Sequence, residues 1–208
     1  GTEAPLTQFT LALMSALRIY TKDNGDDYPC RPCERGAANN TFLLGEGAAV
    51  FKIEALSRAF NPIAIVSGIG FGVESLTSPT SISERAACLQ QSMNQALASC
   101  DDGDEIDLLI MHAPGTLKGD AAEMNAIRDV FGDNLPALTT NKWRVGHSLG
   151  AAGALSVEFA LHILTKPDYS VALPYENDLP ALHGVPKRIM INTVGFGGNA
   201  VSLIISKP

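Results

Sequence analysis

The sequence predicts an α/β protein whose mixed β-sheet carries helices on both faces. From residue 83 onward, segments with helical periodicity alternate with short apolar segments typical of strands, which is the pattern of a sheet covered by helices. The segment LLIM at residues 108–111 is apolar without interruption. Strands of that kind are buried on both faces, so we expect helices above and below the sheet.

The composition limits the classes of function. The chain has 208 residues, of which 46% are hydrophobic and 18% charged, as is ordinary for a globular protein with one large or two small domains. The formal net charge is −7 and lysines and arginines are not clustered, so no nucleic-acid partner is expected. Since no run of about 18 apolar residues occurs, no membrane span is expected either.

The start of the sequence and its cysteines both favour a cytoplasmic location. Residues 1–22 have neither the basic segment nor the processing site of a signal peptide. Four cysteines in a chain of this length do not form a disulfide framework, and a reducing compartment is the simpler assumption.

The first part of the chain predicts one helix and two strands. Residues 6–20 carry apolar side chains at helical spacing, which indicates an amphipathic helix. Residues 42–54, FLLGEGAAVFKIE, and residues 63–72, IAIVSGIGFG, are predicted strands, the first with a glycine-rich interruption. Residues 72–82 form a predicted loop rich in Ser, Thr and Pro.

Regular alternation of helices and strands follows this loop. Ser83 is the predicted N-cap of a helix that ends near residue 99. The remaining predicted elements are strand 106–111, helix 121–131, strand 137–140, helix 148–165, and two closing strands at 188–196 and 200–206.

The segment CRPC, residues 30–33, has the CxxC spacing of redox-active pairs and half zinc sites. A structural zinc site needs four ligands, and the other two cysteines, Cys88 and Cys100, lie 12 residues apart without a paired histidine. We therefore expect Cys30 and Cys33 to be structural, and we expect no metal site.

Two glycine-rich segments, GIGFG at 68–72 and GFGGN at 195–199, superficially resemble phosphate loops. A dinucleotide fingerprint needs a helix that starts at its last glycine and an acidic residue about 20 positions later, and neither segment has this context. We expect two turns in which the backbone passes close to a neighbour, and no cofactor.

Two of the four histidines lie at the ends of predicted elements, one after a strand and the other before a helix. His112 follows strand 106–111, and His147 comes directly before the helix that starts with small residues. Ligands bind at the carboxyl edge of open α/β sheets, so these two side chains are expected to converge there. His162, inside a helix, and His183, in a Pro-rich loop, are expected to be structural or solvated.

Five segments together resemble the second half of the β-ketoacyl-acyl carrier protein synthases, condensing enzymes of the thiolase fold. They are GTEAPLTQF (1–9), FLLGEGAAVFKIE (42–54), HxxxxxxGDAAE (112–123), KWRVGHSLGAAG (142–153) and NTVGFGGN (192–199). The resemblance implies a thiolase-like fold, one half of a duplicated α/β/α/β/α architecture. Residues 1–72 would be a remnant of the N-terminal half, and residues 73–208 would be the C-terminal half.

The resemblance also implies a reaction, the decarboxylative Claisen condensation of an acyl thioester with malonyl-acyl carrier protein in fatty-acid or polyketide-like synthesis. His112 and His147 would be the catalytic histidine pair, and Lys142 would hold the charge balance of the site. Loss of carbon dioxide leaves an enolate, whose oxygen needs positioned hydrogen-bond donors. The other roles that the resemblance implies are loop support by Asp120 and Glu123, a structural strand at GEGA (45–48) and an aromatic substrate gate at Phe196.

This sequence departs from the family pattern at three places. The usual HGTxTxxGD is HAPGTLKGD here; alignment on GD puts His112 at the catalytic position, whereas alignment on GT puts Pro114 there and needs a two-residue deletion. We prefer the first alignment, because a histidine at a strand end is what the geometry needs. Ser156 stands where the family commonly carries Glu, and Val194 replaces a phenylalanine of the closing loop.

The nucleophilic cysteine of the family lies in the part of the first half that has no counterpart in these 208 residues. None of the four cysteines is a plausible substitute, since Cys30 and Cys33 lie in a polar loop and Cys88 and Cys100 lie on or at the end of an amphipathic helix. The chain alone is therefore expected to be inactive. The implied partners are malonyl- and acyl-loaded acyl carrier protein and the missing half or a synthase subunit, in a homo- or heterodimer. The alternative hypothesis is a non-catalytic subunit, either similar to a chain length factor or a scaffold.

Overall fold

The structure is a computed structural model that describes residues 1–22, 27–76, 78, 82–100, 105–166 and 168–208. Its strands are Thr2–Glu3 (β1), Gly47–Ala48 (β2), Ile65–Val73 (β3), Leu108–Ile110 (β4), Ala137–Thr139 (β5), Arg188–Gly195 (β6) and Asn199–Ser206 (β7). Its α-helices are Gln8–Ala16 (α1), Ala87–Ala98 (α2), Leu117–Phe131 (α3), Lys142–Val145 (α4) and Ala152–Thr165 (α5), and short 3-10 turns lie at Leu56–Arg58 and Leu149–Ala151.

Five strands form one mixed sheet in the order β3-β7-β6-β4-β5. Strand β4 runs parallel to β5 and β6, whereas β7 runs antiparallel to β3 and β6. The apolar strand β4 has the predicted burial on both faces: Leu109 packs in a core with helices α2 and α3, and Leu108 and Ile110 pack in a second core with α5. The predicted mixed sheet with helices on both faces is confirmed.

Strand β3 lies mostly in the segment assigned to the N-terminal remnant, residues 1–72, and it joins the main sheet by pairing with β7 along its length. It also corrects one expectation. The glycines of 68–72 lie in mid-strand, not in a turn, because helix α2 lies directly on them: a Cβ on Gly70 would come within 1.9 Å of Ser92 O, and one on Gly72 within 1.8 Å of Cys88 O. The division into a remnant of the N-terminal half at residues 1–72 and a C-terminal half at residues 73–208 stays a prediction.

The segment predicted as strand 42–54 is mostly irregular. Only Gly47–Ala48 forms a strand, paired with Thr2–Glu3, while Phe42 and Leu44 make single bridges to Tyr20 and His147. Gly45 explains the difference, since its Cα lies so close to Val145 that a Cβ would come within 1.8 Å of Val145 O. Residues 42–45 therefore pack along the segment that precedes His147 and do not join a β-ladder.

The helix boundaries differ from prediction for local reasons. Helix α2 begins at Ala87, not after Ser83, because the Glu74 carboxylate and the Ser83 hydroxyl both accept from Ala87 N (3.1 and 3.2 Å). Helix α3 begins at Leu117, four residues before the predicted start. The predicted helix 148–165 is a 3-10 turn followed by α5. In the predicted loop 72–82, positions 77 and 79–81 lie outside the described residues.

Both edges of the sheet have backbone donors engaged by other parts of the chain. On edge strand β3, Ile69 N, Phe71 N and Val73 N donate to Ser99 Oγ (3.1 Å), Gln95 Oε1 (2.6 Å) and Gln91 Oε1 (3.1 Å) of helix α2 and its C-terminal end. On edge strand β5, Leu138 N donates to Pro180 O (2.9 Å).

Apolar side chains stay exposed on the first helix and on one face of β3. Phe9 of α1 is 79% exposed and Phe71 of β3 is 55% exposed, so the predicted apolar face of α1 is largely uncovered. No helix within the described ranges is long and apolar enough to cross a membrane.

Candidate functional site

The two histidines singled out in the sequence lie together in the structure. The Nε2 atoms of His112 and His147 are 3.2 Å apart, and their ring planes are inclined by 80°. His112 lies just beyond β4 and His147 just beyond α4. Both side chains are buried, with 6% and 8% of their surface exposed, so the pair forms a compact polar centre in a largely dry environment.

The backbone of His147 is held by residues 43–45. His147 N donates to Leu43 O (2.7 Å), and Gly45 N donates to His147 O (3.1 Å). The ring of Phe42 packs against the imidazole at a centroid distance of 5.2 Å. Gly146, just before His147, has φ +66°, a conformation that favours glycine. The FLLG segment therefore fixes the position from which the His147 ring projects.

The backbone at His112 is held by a buried carboxylate. Glu123 of α3 accepts from His112 N (2.9 Å) and Ala113 N (2.7 Å), and from Asn192 Nδ2 of β6 (3.2 Å). Ala113 has φ +24°, so the carboxylate stabilises a turn that L-residues rarely adopt. Asn192 was not predicted as a site residue, although it is the first residue of the NTVGFGGN segment.

Asp120 connects the loop after His112 with the CxxC segment. Its carboxylate accepts from Gly115 N (3.1 Å) and from Cys33 N (3.0 Å). Burial raises the pKa of Asp120 to about 7, although both backbone donors act in the opposite direction. Glu123 thus accepts from backbone N–H groups at the start of the loop at residues 112–115, and Asp120 accepts from one at its end.

Hydrogen bonding assigns the tautomer of His147. Leu149 N donates to His147 Nδ1 (3.1 Å), so in the neutral ring the proton is on Nε2. That proton points to His112 Nε2, which must accept the hydrogen bond. The proton of the neutral His112 ring is therefore on its Nδ1 atom. Among the described residues His112 Nδ1 has no hydrogen-bond partner, which leaves the His112 proton poorly satisfied in this arrangement.

Both rings are neutral at physiological pH. Burial, followed by the charge of Lys142, lowers the pKa of His147 to about 3. Burial, His147 and Lys142 lower the pKa of His112 well below its usual value of 6.5. The pair can therefore donate hydrogen bonds from neutral imidazoles without first being protonated.

Lys142, the third predicted catalytic residue, is buried close to the pair with 1% of its surface exposed. Its Nζ donates to Asn141 Oδ1 (3.1 Å), and the same oxygen accepts from Ser156 Oγ (3.3 Å). Burial lowers the pKa of Lys142 to about 8, against the opposing influence of Glu123 and Cys30. Ser156 was expected as a departure from the family pattern, whereas Asn141 was not predicted as a site residue.

The predicted gate residue lies in an exposed turn of the main sheet. Phe196 is 57% exposed in the turn between β6 and β7, where its carbonyl accepts from Asn199 Nδ2 (3.4 Å). In the part of the chain that the structure describes, it makes no hydrogen bond or ring contact with either histidine. The GFGGN segment is thus the expected turn, and the gate role of Phe196 stays a prediction.

Three of the four cysteines are poor nucleophiles because burial keeps their thiols protonated. Burial raises the pKa of Cys30 and of Cys88 to about 12, and it raises the pKa of Cys33 well above its usual value. A protonated, buried thiol is a weak nucleophile. In the part of the chain that the structure describes, no group of three or more His, Cys, Asp or Glu side chains could hold a metal ion.

This arrangement suits a reaction in which an oxygen atom gains negative charge. Two neutral imidazoles whose Nε2 atoms face each other can donate to one oxygen that enters between them, and a nearby lysine charge supports such an anion. Preorganised donors in a dry site are worth more than the same donors in water. Acyl-transfer and decarboxylation reactions of thioesters generate an oxygen of this kind.

Comparisons with known proteins agree with the fold. Residues 63–169 match the family described as "Beta-ketoacyl synthase, C-terminal domain". Over its whole length the chain is 34% identical to 3-oxoacyl-[acyl-carrier-protein] synthase 2 of Mycobacterium bovis, and it spans 53% of that relative.

Solved structures similar to this chain are ketosynthases. One is a type II PKS acyl-carrier protein in complex with its ketosynthase (TM-score 0.86, 19% identity, 100% of this chain and 55% of that one). Another is the ishigamide ketosynthase/chain length factor (TM-score 0.82, 25% identity, 99% and 52%). The chain thus spans about half the length of the proteins it matches.

Proposed function

Because this chain belongs to the β-ketoacyl synthase family, we propose that it supplies the two-histidine part of a site that condenses an acyl thioester with a malonyl thioester. The observation that carries the proposal is the 3.2 Å approach of His112 Nε2 and His147 Nε2 in a buried centre. The whole protein would be a β-ketoacyl-acyl carrier protein synthase, an acyltransferase of fatty-acid or polyketide-like synthesis.

In the proposed first step, the malonyl thioester loses carbon dioxide. The electron pair of the broken carbon–carbon bond moves into the new enolate, and the thioester oxygen takes the negative charge. His147 donates to this oxygen from Nε2, the atom that its Nδ1 contact with Leu149 N leaves protonated. His112 donates from Nε2 after its proton shifts from Nδ1, which has no partner to lose within the described residues.

In the second step, the enolate carbon attacks the carbonyl carbon of an acyl group held as a thioester on a cysteine. The new carbon–carbon bond forms as the carbon–sulfur bond breaks, and the sulfur leaves as a thiolate. Since the pKa of Cys30, Cys33 and Cys88 is raised by burial, this cysteine is expected in another part of the protein or in a partner subunit. The chain by itself would therefore not complete the condensation, and Phe196 would gate the passage between the two thioesters.

The proposed macromolecular partner is an acidic acyl carrier protein in its malonyl- and acyl-loaded forms. A cleft of about 540 Å³ is lined by Arg18 and Lys22, two cations in a chain of net charge −7. Asn40 connects this cleft to the start of α3, because it donates to Arg18 O (3.2 Å) and accepts from Leu117 N (3.0 Å). A carrier protein docked there would deliver its thioester close to the loop that follows His112. The second partner would be a synthase subunit, in a homo- or heterodimer.

A second candidate function is that of a non-catalytic subunit similar to a chain length factor. The similarity to a ketosynthase/chain length factor structure and the replacement of a family glutamate by Ser156 favour it. The buried, neutral histidine pair favours catalysis instead, because a subunit that only shapes a pocket does not need two donors at one point.

Malonyl-thioester decarboxylation by the assembled protein tests the two functions. Replacing His112 or His147 by alanine should lower the rate about 10²- to 10³-fold, as for other lost oxyanion donors. His162→Ala is the matched control, since His162 is half-buried on α5 and pairs with Glu158 (2.7 Å), and it should keep the rate. An unchanged rate in the His112→Ala and His147→Ala variants would reject the catalytic proposal in favour of the non-catalytic subunit.

A further inference from the structure

The ammonium group of Lys142 is buried against a neutral partner. It has 1% exposure and donates to the side-chain amide oxygen of Asn141 at 3.1 Å. That oxygen also accepts from Ser156 Oγ at 3.3 Å, so Ser156 orients the amide from helix α5. Within the described residues, no carboxylate lies at ion-pair distance from Lys142 Nζ. A buried ammonium is ordinarily paired with an opposite charge, which makes this arrangement unusual.

The groups that face Lys142 from the surrounding elements are almost all neutral. Cys30, from the segment before Phe42, is a protonated thiol because burial raises its pKa to about 12. His112 and His147 are neutral because burial and the Lys142 charge lower their pKa values. Glu123 of α3 favours the charged lysine, but its carboxylate is engaged by two backbone N–H groups and by Asn192.

We propose that Asn141 and Ser156 are the positioning residues of Lys142, an amide–hydroxyl pair that holds the ammonium beside the histidines where a carboxylate would otherwise pair with it. This proposal extends the proposed function, and its consequence for catalysis rests on that function. A carboxylate partner would favour the charged form of Lys142, whereas a neutral acceptor lets the proton dissociate at a lower pH.

The coupling to catalysis follows from the charge of Lys142. When protonated, Lys142 lowers the pKa of both histidines and stabilises negative charge that develops on an oxygen between them. When it loses its proton, with a pKa of about 8, that stabilisation disappears. The rate of decarboxylation should therefore fall as the pH rises through the pKa of Lys142.

A pH titration of Lys142 by NMR, in the full chain with ¹³C-labelled lysine, tests the positioning role without any assay of activity. Asn141→Asp is nearly isosteric and Ser156→Glu brings a carboxylate from α5. Each should raise the titration midpoint of Lys142 by about one pH unit or more, as expected for a nearby opposite charge. Val157→Glu is the matched control on the next position of α5 and should leave the midpoint unchanged. Asn141→Leu, which removes the acceptor, should lower it.

The spectra also report whether each variant is folded, and Asn141→Asp serves if Ser156→Glu does not fold. A midpoint that stays at its original pH in Asn141→Asp would overturn the proposal. So would an equal rise in Val157→Glu.

The pH profile of malonyl-thioester decarboxylation by the assembled protein is the second readout. The falling limb at high pH should move upward in Asn141→Asp together with the titration midpoint. A limb that stays in place while the midpoint moves would overturn the catalytic part of the proposal. If the unchanged protein shows no decarboxylation while Lys142 responds as expected, the proposed function fails and the positioning role stands.

Discussion

The carboxylate of Glu123 holds the backbone of His112 and not its ring. Its two oxygens accept from His112 N at 2.9 Å and Ala113 N at 2.7 Å, across 10 to 11 residues of sequence. The ring of His112 is thereby left available to His147, while the turn that positions it is fixed from helix α3. A catalytic histidine at the end of a short strand needs this kind of support, because β4 itself ends at Ile110.

Glu123→Gln should destabilise the fold and displace His112. An amide has one acceptor oxygen, so its NH₂ group would face one of the two backbone N–H donors. Hydrogen bonds to charged groups contribute about 1.5–3 kcal/mol, and we expect a decrease of that order in the free energy of unfolding, measured with denaturant. Glu158→Gln, at an exposed position of α5, should change it by less than about 0.5 kcal/mol. Equal stability of the two variants would contradict the role given to Glu123.

Asp120 should make the folded protein less stable as the pH rises from acid to neutral. Burial raises its pKa from 3.8 to about 7. Between these values the unfolded chain has lost a proton that the folded chain keeps, so the free energy of unfolding falls with rising pH, at up to about 1.4 kcal/mol per pH unit for one proton. Below the ordinary pKa of Asp120, its carboxyl group is protonated in both the folded and the unfolded chain, so it contributes no pH dependence to the stability.

The Asp120→Asn variant should lack this part of the pH dependence, as measured by denaturant unfolding at a series of pH values. Asp133→Asn, at an exposed position beyond α3, is the control and should keep the wild-type slope. An Asp120→Asn variant with that same slope would show that the pH dependence has another source.

Gly45→Ala should disturb the support of His147. A Cβ at this position would come within 1.8 Å of the carbonyl oxygen of Val145, and backbone is hard to move. We expect a loss of about 1–3 kcal/mol in the free energy of unfolding, as for other overpacked sites, and a loss of decarboxylation from the shifted His147. Gly195→Ala meets nothing within 4 Å and is the control for stability. A thermal-unfolding comparison in which both variants behave alike would count against the close packing of residues 43–45 on His147.

Short-range patterns in the sequence were enough to predict the sheet and the convergence of the two histidines. Strand β4 is apolar at every position, and such a strand has few alternatives to burial between two helix layers. His112 follows strand β4 of that sheet and His147 follows the short helix α4, and the side chains of these two connections meet.

Long-range contacts account for what the sequence did not indicate. Asn192 lies 69 residues from Glu123 and 80 residues from His112 along the chain, and an asparagine within a strand carries no local signal of its partner. Residues 68–72 were expected to form a turn because glycine is common in turns. Their true constraint is the approach of helix α2, which only the tertiary fold defines. The same holds for residues 42–45, whose neighbour is the segment 145–147.

The engaged edges of the main sheet limit how another protein chain can bind. Gln91, Gln95 and Ser99 occupy the donors of β3 that an added strand would use, and Pro180 occupies the corresponding donor of β5. Intermolecular β-ladders, the usual hazard of exposed edges, would have to displace these contacts first. A subunit that covers the exposed Phe71 face must therefore pack its side chains against the face of the sheet and not against its edge. The specificity of such a contact depends on complementary shape and not on backbone pairing.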